Sequence, residues 1–346
     1  MLLSVIIPIY NVESSLRHCL KSILKQIDEE VEVICIDDGS SDNSGKICDE
    51  IAKEYDCLKV YHKPNGGVSS ARNLALSYAH GTYIAWVDSD DYVADNWYQS
   101  LKPLMESGID LIFFEHYRVE SSTQKRVRYC KESMLIDKSI FMHDLVLDIK
   151  LRSYLCDKVF KRRLFTNILF PVDISLMEDY SILHKVCNRA KTIYYLAKPL
   201  YFYVIRNDSI SHTKDLQDQY QTVLIAKKRY DWLSKRYEAV SRAGYLKNCL
   251  DFLVCVLRSG RGDKWKVEYY SCRADICNHI ISLLLDRDIP FKYKVKYCMV
   301  YFNVIKLFYR MRTKFKRGGV VYNFNNNHLI FNNIFCYNNT ESVSVC

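Results

Sequence analysis

None of the 14 cysteines forms a Cys-x-x-Cys pair, and no His/Cys group stands at zinc spacing. Zinc-ribbon and dithiol redox chemistry are therefore excluded, and the thiols read as scattered small core residues in a reducing compartment. No stretch approaches the ~18–20 uninterrupted apolar residues that a spanning helix needs. The opening run "LLSVIIPIY" lacks a basic leader and a small-residue cleavage site, so it does not read as a signal peptide. No G-x-G-x-x-G follows that run; "IYNVES" stands there instead, which argues against a nicotinamide-dependent oxidoreductase. From Gly318 onward lysine and arginine are missing and asparagine dominates ("NFNNNH", "NNIFCYNN"). That composition reads as a disordered tail over 318–346.

What is present is ample for one large domain or two smaller ones: 346 residues, 49% of them hydrophobic. The net charge of +9 is unevenly placed. Residues 1–120 hold 20 acids and 10 bases, and the remainder holds 20 acids and 39 bases. An acidic first third and a basic remainder suggest two functional regions, the second facing anionic partners. Residues 291–317 carry nine bases, no acids and many aromatics. Lys292, Lys296, Asn303, Lys306 and Arg310 fall on one helical face, and Tyr297, Tyr301, Ile305 and Phe308 on another. Such a helix suits an anionic membrane surface, or packs within the domain with its basic face solvated, and no recognition motif for nucleic acid accompanies the charge.

Strand and helix signals alternate along the first 90 residues. Residues 2–9 (LLSVIIPI) are a continuous apolar run of the kind buried on both faces of a parallel sheet. Leu16, Leu20, Ile23 and Leu24 follow at helical spacing. "VEVICI" (31–36), "LKVYH" (58–62) and "TYIAWV" (82–87) are further strands. Ser41 or Asp42 can cap the second helix, and "VSSARNLALSYAHG" is a third, ended by Gly81. This is an α/β fold with a central, mostly parallel sheet. "SSTQKRVRYCKES" (121–133) reads as a basic connector, and helical periodicity dominates from about Asp215 to Arg287.

In a parallel α/β sheet, ligands bind beyond the carboxyl ends of the strands. The first strand ends at Pro8-Ile9-Tyr10-Asn11, the second at Asp37-Asp38 and the fourth at Asp88-Ser89-Asp90. A tyrosine and two acidic pairs therefore share one edge. An aromatic face can stack on a base, a carboxylate can accept from base or ribose, and a second acidic pair can bind a divalent cation that bridges to a diphosphate.

The ordered motifs "SVIIPIYNVESSLRHCLKSILKQ", "VICIDDGSSDNS", "NGGVSSARNLAL" and "GTYIAWVDSDD" resemble a family 2 glycosyltransferase of the GT-A fold, the type found in bacterial surface-polysaccharide assembly. The resemblance covers roughly residues 3–95. It implies an inverting sugar transfer from a UDP-linked donor. It also implies a nucleotide site of Pro8, Tyr10, Asp38, Arg72 and Asp88, with Tyr10 stacked on uracil and Asp38 at the uracil edge. Asp90 would be the direct ligand of Mn²⁺ or Mg²⁺. A looser likeness in "PVDISLMEDYSILHKV" implies Asp179 as general base beside Glu178, and "YFYVIRNDSISH" suggests Arg206 or His212 near the diphosphate.

The expected organisation is a transferase domain over 1–212, with 1–95 as nucleotide half and 96–212 as acceptor half. A helical, basic region over 213–317 follows. The expected partners are a UDP-sugar, a saccharide or lipid-linked saccharide acceptor, and an anionic membrane surface through 291–317. The expected location is the cytoplasmic face of the inner membrane, and the competing expectation is a catalytically inactive sugar-nucleotide or membrane-binding module.

Overall fold

The computed structural model describes residues 1–120, 123–174, 176–205, 215–260 and 263–306. The described residues up to Ile205 form one compact unit and those from Asp215 a second.

The first unit is built on a sheet of ten strands. They are β1 (Leu3–Ile9), β2 (Val31–Asp37), β3 (Leu58–His62), β4 (Tyr83–Trp86), β5 (Tyr92–Val93), β6 (Leu111–Glu120), β7 (Thr123–Val127), β8 (Met134–Leu135), β9 (Lys158–Lys161) and β10 (Ile193–Val204). The order is β3-β2-β1-β4-β9-β6-β10-β5, with β7 paired to β6 and β8 to β10. β1 runs parallel to β2 and β4, and β2 parallel to β3. β9 is antiparallel to both β4 and β6, so β6 and its parallel partner β10 point the same way as β1. The carboxyl ends of β1, β2, β4, β6 and β10 therefore share one edge. The run read as a doubly buried strand gives β1, buried throughout except for half-buried Pro8, and every residue of β2 and β4 is buried as well.

The helices of this unit are α1 (Glu13–Leu24), α2 (Ser44–Ala52), α3 (Gly67–Tyr78), α4 (Trp97–Glu106), α5 (Lys138–Leu147) and α6 (Glu178–Cys187). The spacing of Leu16, Leu20 and Ile23 gives α1 its apolar stripe, and all three are buried. Two local expectations change. Asn43, not Ser41 or Asp42, stands at the N-cap of α2, and the Asp42 carboxylate bridges to the backbone N–H groups of Ser44 (2.9 Å) and Glu13 (3.0 Å). It thereby ties the starts of α1 and α2 together. The basic "connector" is partly a strand: β7 pairs antiparallel with the end of β6, as an exposed edge where charged side chains discourage further pairing.

The second unit is helical: α7 (Leu216–Ser259), α8 (Lys266–Asn278), α9 (Ile280–Leu285) and α10 (Phe291–Tyr301). A reciprocal Asp215/Asp218 capping box starts α7, and its path breaks at Tyr237 (φ −130°, ψ 44°). The Tyr245 hydroxyl donates to Asp275 at 2.6 Å and joins α7 to α8. The continuous basic helix expected over 291–317 is not formed. α10 stops at Tyr301, and Asn303 turns the chain away in the left-handed region (φ 58°). Lys296, expected on a solvated face, is buried beside Tyr297, and burial lowers its pKa. Arg310, Phe308 and the asparagine-rich tail lie outside the described residues. Among the described residues no helix is long and apolar enough to cross a membrane.

Gly81 shows how tightly the first unit is built. The buried Glu32 carboxylate accepts from the N–H groups of His80 (2.7 Å) and Gly81 (3.2 Å) and from the Ser4 hydroxyl (2.5 Å). A Cβ at position 81 would sit 2.4 Å from the Ser4 nitrogen and 2.7 Å from the Leu3 carbonyl carbon. Backbone cannot swing aside as a side-chain tip can. Gly81→Ala is expected to lower stability by about 1–3 kcal/mol, the usual cost of overpacking; urea denaturation measures it, and a parental midpoint would contradict the close approach.

Candidate active site at the sheet edge

The sheet edge gathers the predicted residues into two groups. The first lies at the ends of β1 and β2. Tyr10 follows β1 with 51% of its surface exposed, so its ring is open to a ligand's face. Next to it Asn11 adopts φ 51°, and its side-chain oxygen accepts from the Ser41 N–H at 2.8 Å. Pro8 lies within β1 and is half-buried. Asp38 is buried. Its carboxylate accepts from the N–H groups of Gly66 (3.0 Å) and Gly67 (2.7 Å) and from the Lys63 ammonium. Gly67 has φ 82°, which a side chain would resist, and this lets two successive N–H groups face one carboxylate. Three of the roughly four acceptor positions of Asp38 are thus filled from within the chain. The sequence signalled a chain break at "NGG" but not this contact, and it gave no sign of Lys63. Asp37 is separate: it binds His62 Nδ1 at 2.8 Å and the Ser40 N–H at 3.0 Å, which makes it a loop anchor.

The second group lies at the end of β4, two inter-strand spacings (~10 Å) from β2. Arg72, on α3, is buried. Its guanidinium donates to Glu178 at 2.5 Å and to Asp88 at 3.3 Å, and it lies 5.4 Å from the Phe170 ring. The next residue, Asn73, both donates to the Phe170 carbonyl and accepts from its N–H, each at 2.8 Å. Arg72 and Asn73 together draw the segment leading to α6 onto α3. The resemblance implied Arg72 near the nucleotide; the structure shows it spanning the two acidic pairs. Burial opposes its charge, but Glu178, Asp88 and Asp179 hold its pKa above the usual value.

Glu178 and Asp179 open α6, where the helix N-terminus favours negative charge. Met177, just before them, is held at φ 66°, a strained conformation for a non-glycine residue. Asp179 accepts from the Tyr180 N–H at 2.7 Å. Burial, together with the charge of Glu178, pushes the Asp179 carboxyl up to about 7, against the pull of Arg72. Asp88 is raised as well, first by burial and then by Asp90 and Glu178, with Arg72 opposing.

The three acids of "VDSDD" have different environments. Asp91 faces inward: it accepts from the Tyr201 hydroxyl at 2.7 Å and from the Val204 N–H at 2.7 Å, and Tyr201 in turn accepts from the Asp88 N–H at 3.1 Å. Tyr201 went unnoticed in the sequence, for nothing in "YFYV" marks it. Asp88 and Asp90 are half-buried at the edge. Among the described residues no three His, Cys, Asp or Glu side chains converge as a ready-made metal site. The donor set nevertheless suits a hard cation. Carboxylate oxygens and excess negative charge are what Mg²⁺ or Mn²⁺ takes when a ligand's phosphates complete its coordination. Arg206 and His212 lie outside the described residues.

The edge thus offers an exposed aromatic, a buried carboxylate, a pair of acids for a cation and a carboxyl that titrates near neutrality. The chain is similar to several known proteins. The family described as "Glycosyl transferase family 2" matches residues 4–168. The chain is 30% identical over 265 residues to the "Uncharacterized glycosyltransferase EpsJ" of Bacillus subtilis, covering 73% of this chain and 75% of that protein. It is 33% identical to the "Glycosyltransferase GlyG" of Streptococcus pneumoniae, covering 62% and 74%. In fold it resembles residues 1–349 of S. aureus TarS, solved with UDP-GlcNAc, at a TM-score of 0.68 and 20% identity over 93% of both chains.

A carboxyl whose pKa rises on folding is protonated more readily in the folded chain than in the unfolded one, so it costs stability as pH climbs from the ordinary carboxylate range of about 4. For Asp179 that loss extends up to about pH 7. The ligand-free parent is expected to lose stability across this window. Asp179→Asn is expected to lose less and to be the more stable of the two at pH 8. Urea denaturation at pH 4.5, 6 and 8 checks it, and identical pH dependence of the two chains would show that Asp179 ionises normally.

Proposed function

The chain belongs to glycosyl transferase family 2, and from that membership we propose that it is an inverting transferase moving a sugar from a UDP-linked donor to a saccharide acceptor in bacterial surface-polysaccharide assembly. The observation that carries this reading is the Arg72 bridge, which joins the acids after β4 to the acid pair opening α6. Tyr10 stacks on the base, and Asp38 receives the base edge through its remaining acceptor position. Pro8 lines the same pocket, and Asp88 lies toward the ribose. Asp90 is the protein ligand of Mn²⁺ or Mg²⁺, and a cation bound there supplies positive charge to the departing diphosphate. Arg206 or His212, both outside the described residues, steadies that diphosphate. Residues 1–95 form the nucleotide half and 96–212 the acceptor half.

Asp179 is the general base. Raised to about 7, it is half ionised at neutral pH and strong enough to take the acceptor hydroxyl proton. As the proton leaves, the acceptor oxygen bonds to the anomeric carbon from the face opposite the leaving group. The bond from that carbon to the phosphate oxygen breaks, and UDP departs with its electron pair. Arg72 pairs with Glu178 and holds it beside Asp179, where it helps to raise the base.

The acceptor is lipid-linked, and the enzyme works peripherally on the cytoplasmic face of the membrane. Exposed Phe291 and Phe302 beside Lys292 and Lys294 support an anionic membrane partner without a continuous basic helix. No nucleic-acid partner is proposed.

Asp179→Asn is expected to leave UDP affinity unchanged and to cut transfer by ~10²–10⁴-fold, the usual worth of a positioned base. Calorimetry with UDP and a radiolabelled transfer assay separate the two quantities. Near-parental transfer would move the base to Glu178. In the same calorimetry, Asp90→Ala is expected to abolish the gain in UDP affinity that Mn²⁺ gives the parent; an undiminished gain would remove Asp90 from the metal site.

A further inference from the structure

Arg118 has no part in the chemistry above, yet it stands on the face of the sheet where that chemistry occurs. The Tyr201 hydroxyl reaches Asp91 and the backbone of Asp88, so Tyr201 marks the active-site face of β10. Alternate residues of a strand share a face, which puts Tyr203 on it as well. Registered pairs across neighbouring strands also share a face. β10 and β6 pair Tyr203 with Arg118, and β6 and β7 pair Arg118 with Lys125. A row of Tyr203, Arg118 and Lys125 therefore crosses three strands beside the acidic edge. Arg118 lies two residues along and one strand across from Tyr201, roughly 8 Å at backbone level, or about one saccharide unit.

The row is open at its centre. Arg118 is half-buried, and among the described residues no hydrogen bond or ion pair holds its guanidinium. The next two arginines, Arg126 and Arg128, both bind the buried carboxylate of Glu115. Tyr203 is braced by Tyr154, stacked at 6.1 Å with an interplanar angle of 11°. A rigid aromatic wall beside an unpaired planar cation can take an apolar sugar or polyol face together with an oxyanion.

We propose that Tyr203, Arg118 and Lys125 form an acceptor subsite for an anionic group, a phosphate or a carboxylate, carried one or two units from the hydroxyl that receives the sugar. The assignment rests on the reading of the acidic edge as a sugar-transfer site. Arg118 accepts the oxyanion in bidentate fashion, and Lys125 adds charge at the rim. The device selects charged acceptors without touching the donor.

The test uses the full chain saturated with UDP and three probes: a glycerol-phosphate hexamer, a hyaluronan tetrasaccharide and neutral cellotetraose. Calorimetry is expected to rank one anionic probe above the neutral one, and which of the two binds identifies the oxyanion as phosphate or carboxylate. Arg118→Gln is expected to weaken that probe by roughly tenfold or more, as for loss of a charge-assisted hydrogen bond, with UDP affinity unchanged. The proposal is overturned if the neutral probe binds equally well, if neither anionic probe binds at millimolar concentration, or if Arg118→Gln binds like the parent. Should Arg118→Gln lose UDP affinity too, the exposed Lys125→Gln decides, a severalfold weakening supporting the subsite and parental affinity overturning it. A parent that fails to bind UDP would instead strike the sugar-nucleotide reading.

Discussion

The buried guanidinium of Arg72 is the interaction on which the site depends. It reaches from α3 to Asp88 at the end of one strand and to Glu178 at the start of a helix 106 residues later. A buried ion pair of this kind adds little net stability, because desolvation offsets most of the attraction. Its effect is geometric. A planar, always charged group holds two carboxylates from distant segments on one fork, and Asn73 beside it fastens the intervening chain through Phe170. Loss of Arg72 would leave Glu178 and Asp88 as uncompensated neighbours, and repulsion between them would open the edge.

One guanidinium does not balance the acids around it. Asp88, Asp90, Glu178 and Asp179 act on one another, and the deficit appears as raised pKa values at Asp88 and Asp179. Met177, held at φ 66° ahead of them, is a second stored cost. Both costs suit the proposed site, in which ligands of opposite charge and proton transfer would offset them, rather than the stability of the empty chain. Asp91 shows the contrast. It is as close in sequence, but Tyr201 and the Val204 N–H satisfy it, and it joins β10 to the turn after β4.

Much of this was legible in the sequence because the signals were local. Continuous β-branched runs, helical spacing of leucines and acids at strand ends give the first 95 residues almost element by element. The contacts between distant segments were not legible. Nothing in "SSARN" announces that Arg72 meets Glu178, and "NGG" reads as a break whether or not its N–H groups face Asp38. The basic run after β6 looked like a connector because edge strands lack the apolar alternation that marks inner ones. Periodicity over 291–317 suggested one helix, since faces can be drawn on any such run. The left-handed Asn303 that ends it depends on local backbone geometry that periodicity does not encode.

The position of β9 has a consequence for how such chains can change over time. β9 lies between β4 and β6, antiparallel to both, and it comes from residues 158–161, well beyond the acidic turn. Every residue of β4 is buried, so without β9 that strand would present an apolar, unpaired edge to water. The first 95 residues are thus not a detachable cassette. Recombination that exchanged the first 95 residues between related chains would also have to preserve the fit between an incoming β4 and the resident β9. Changes of donor and of acceptor specificity are therefore expected to arise through point substitutions and loop exchange, within a sheet that is inherited whole.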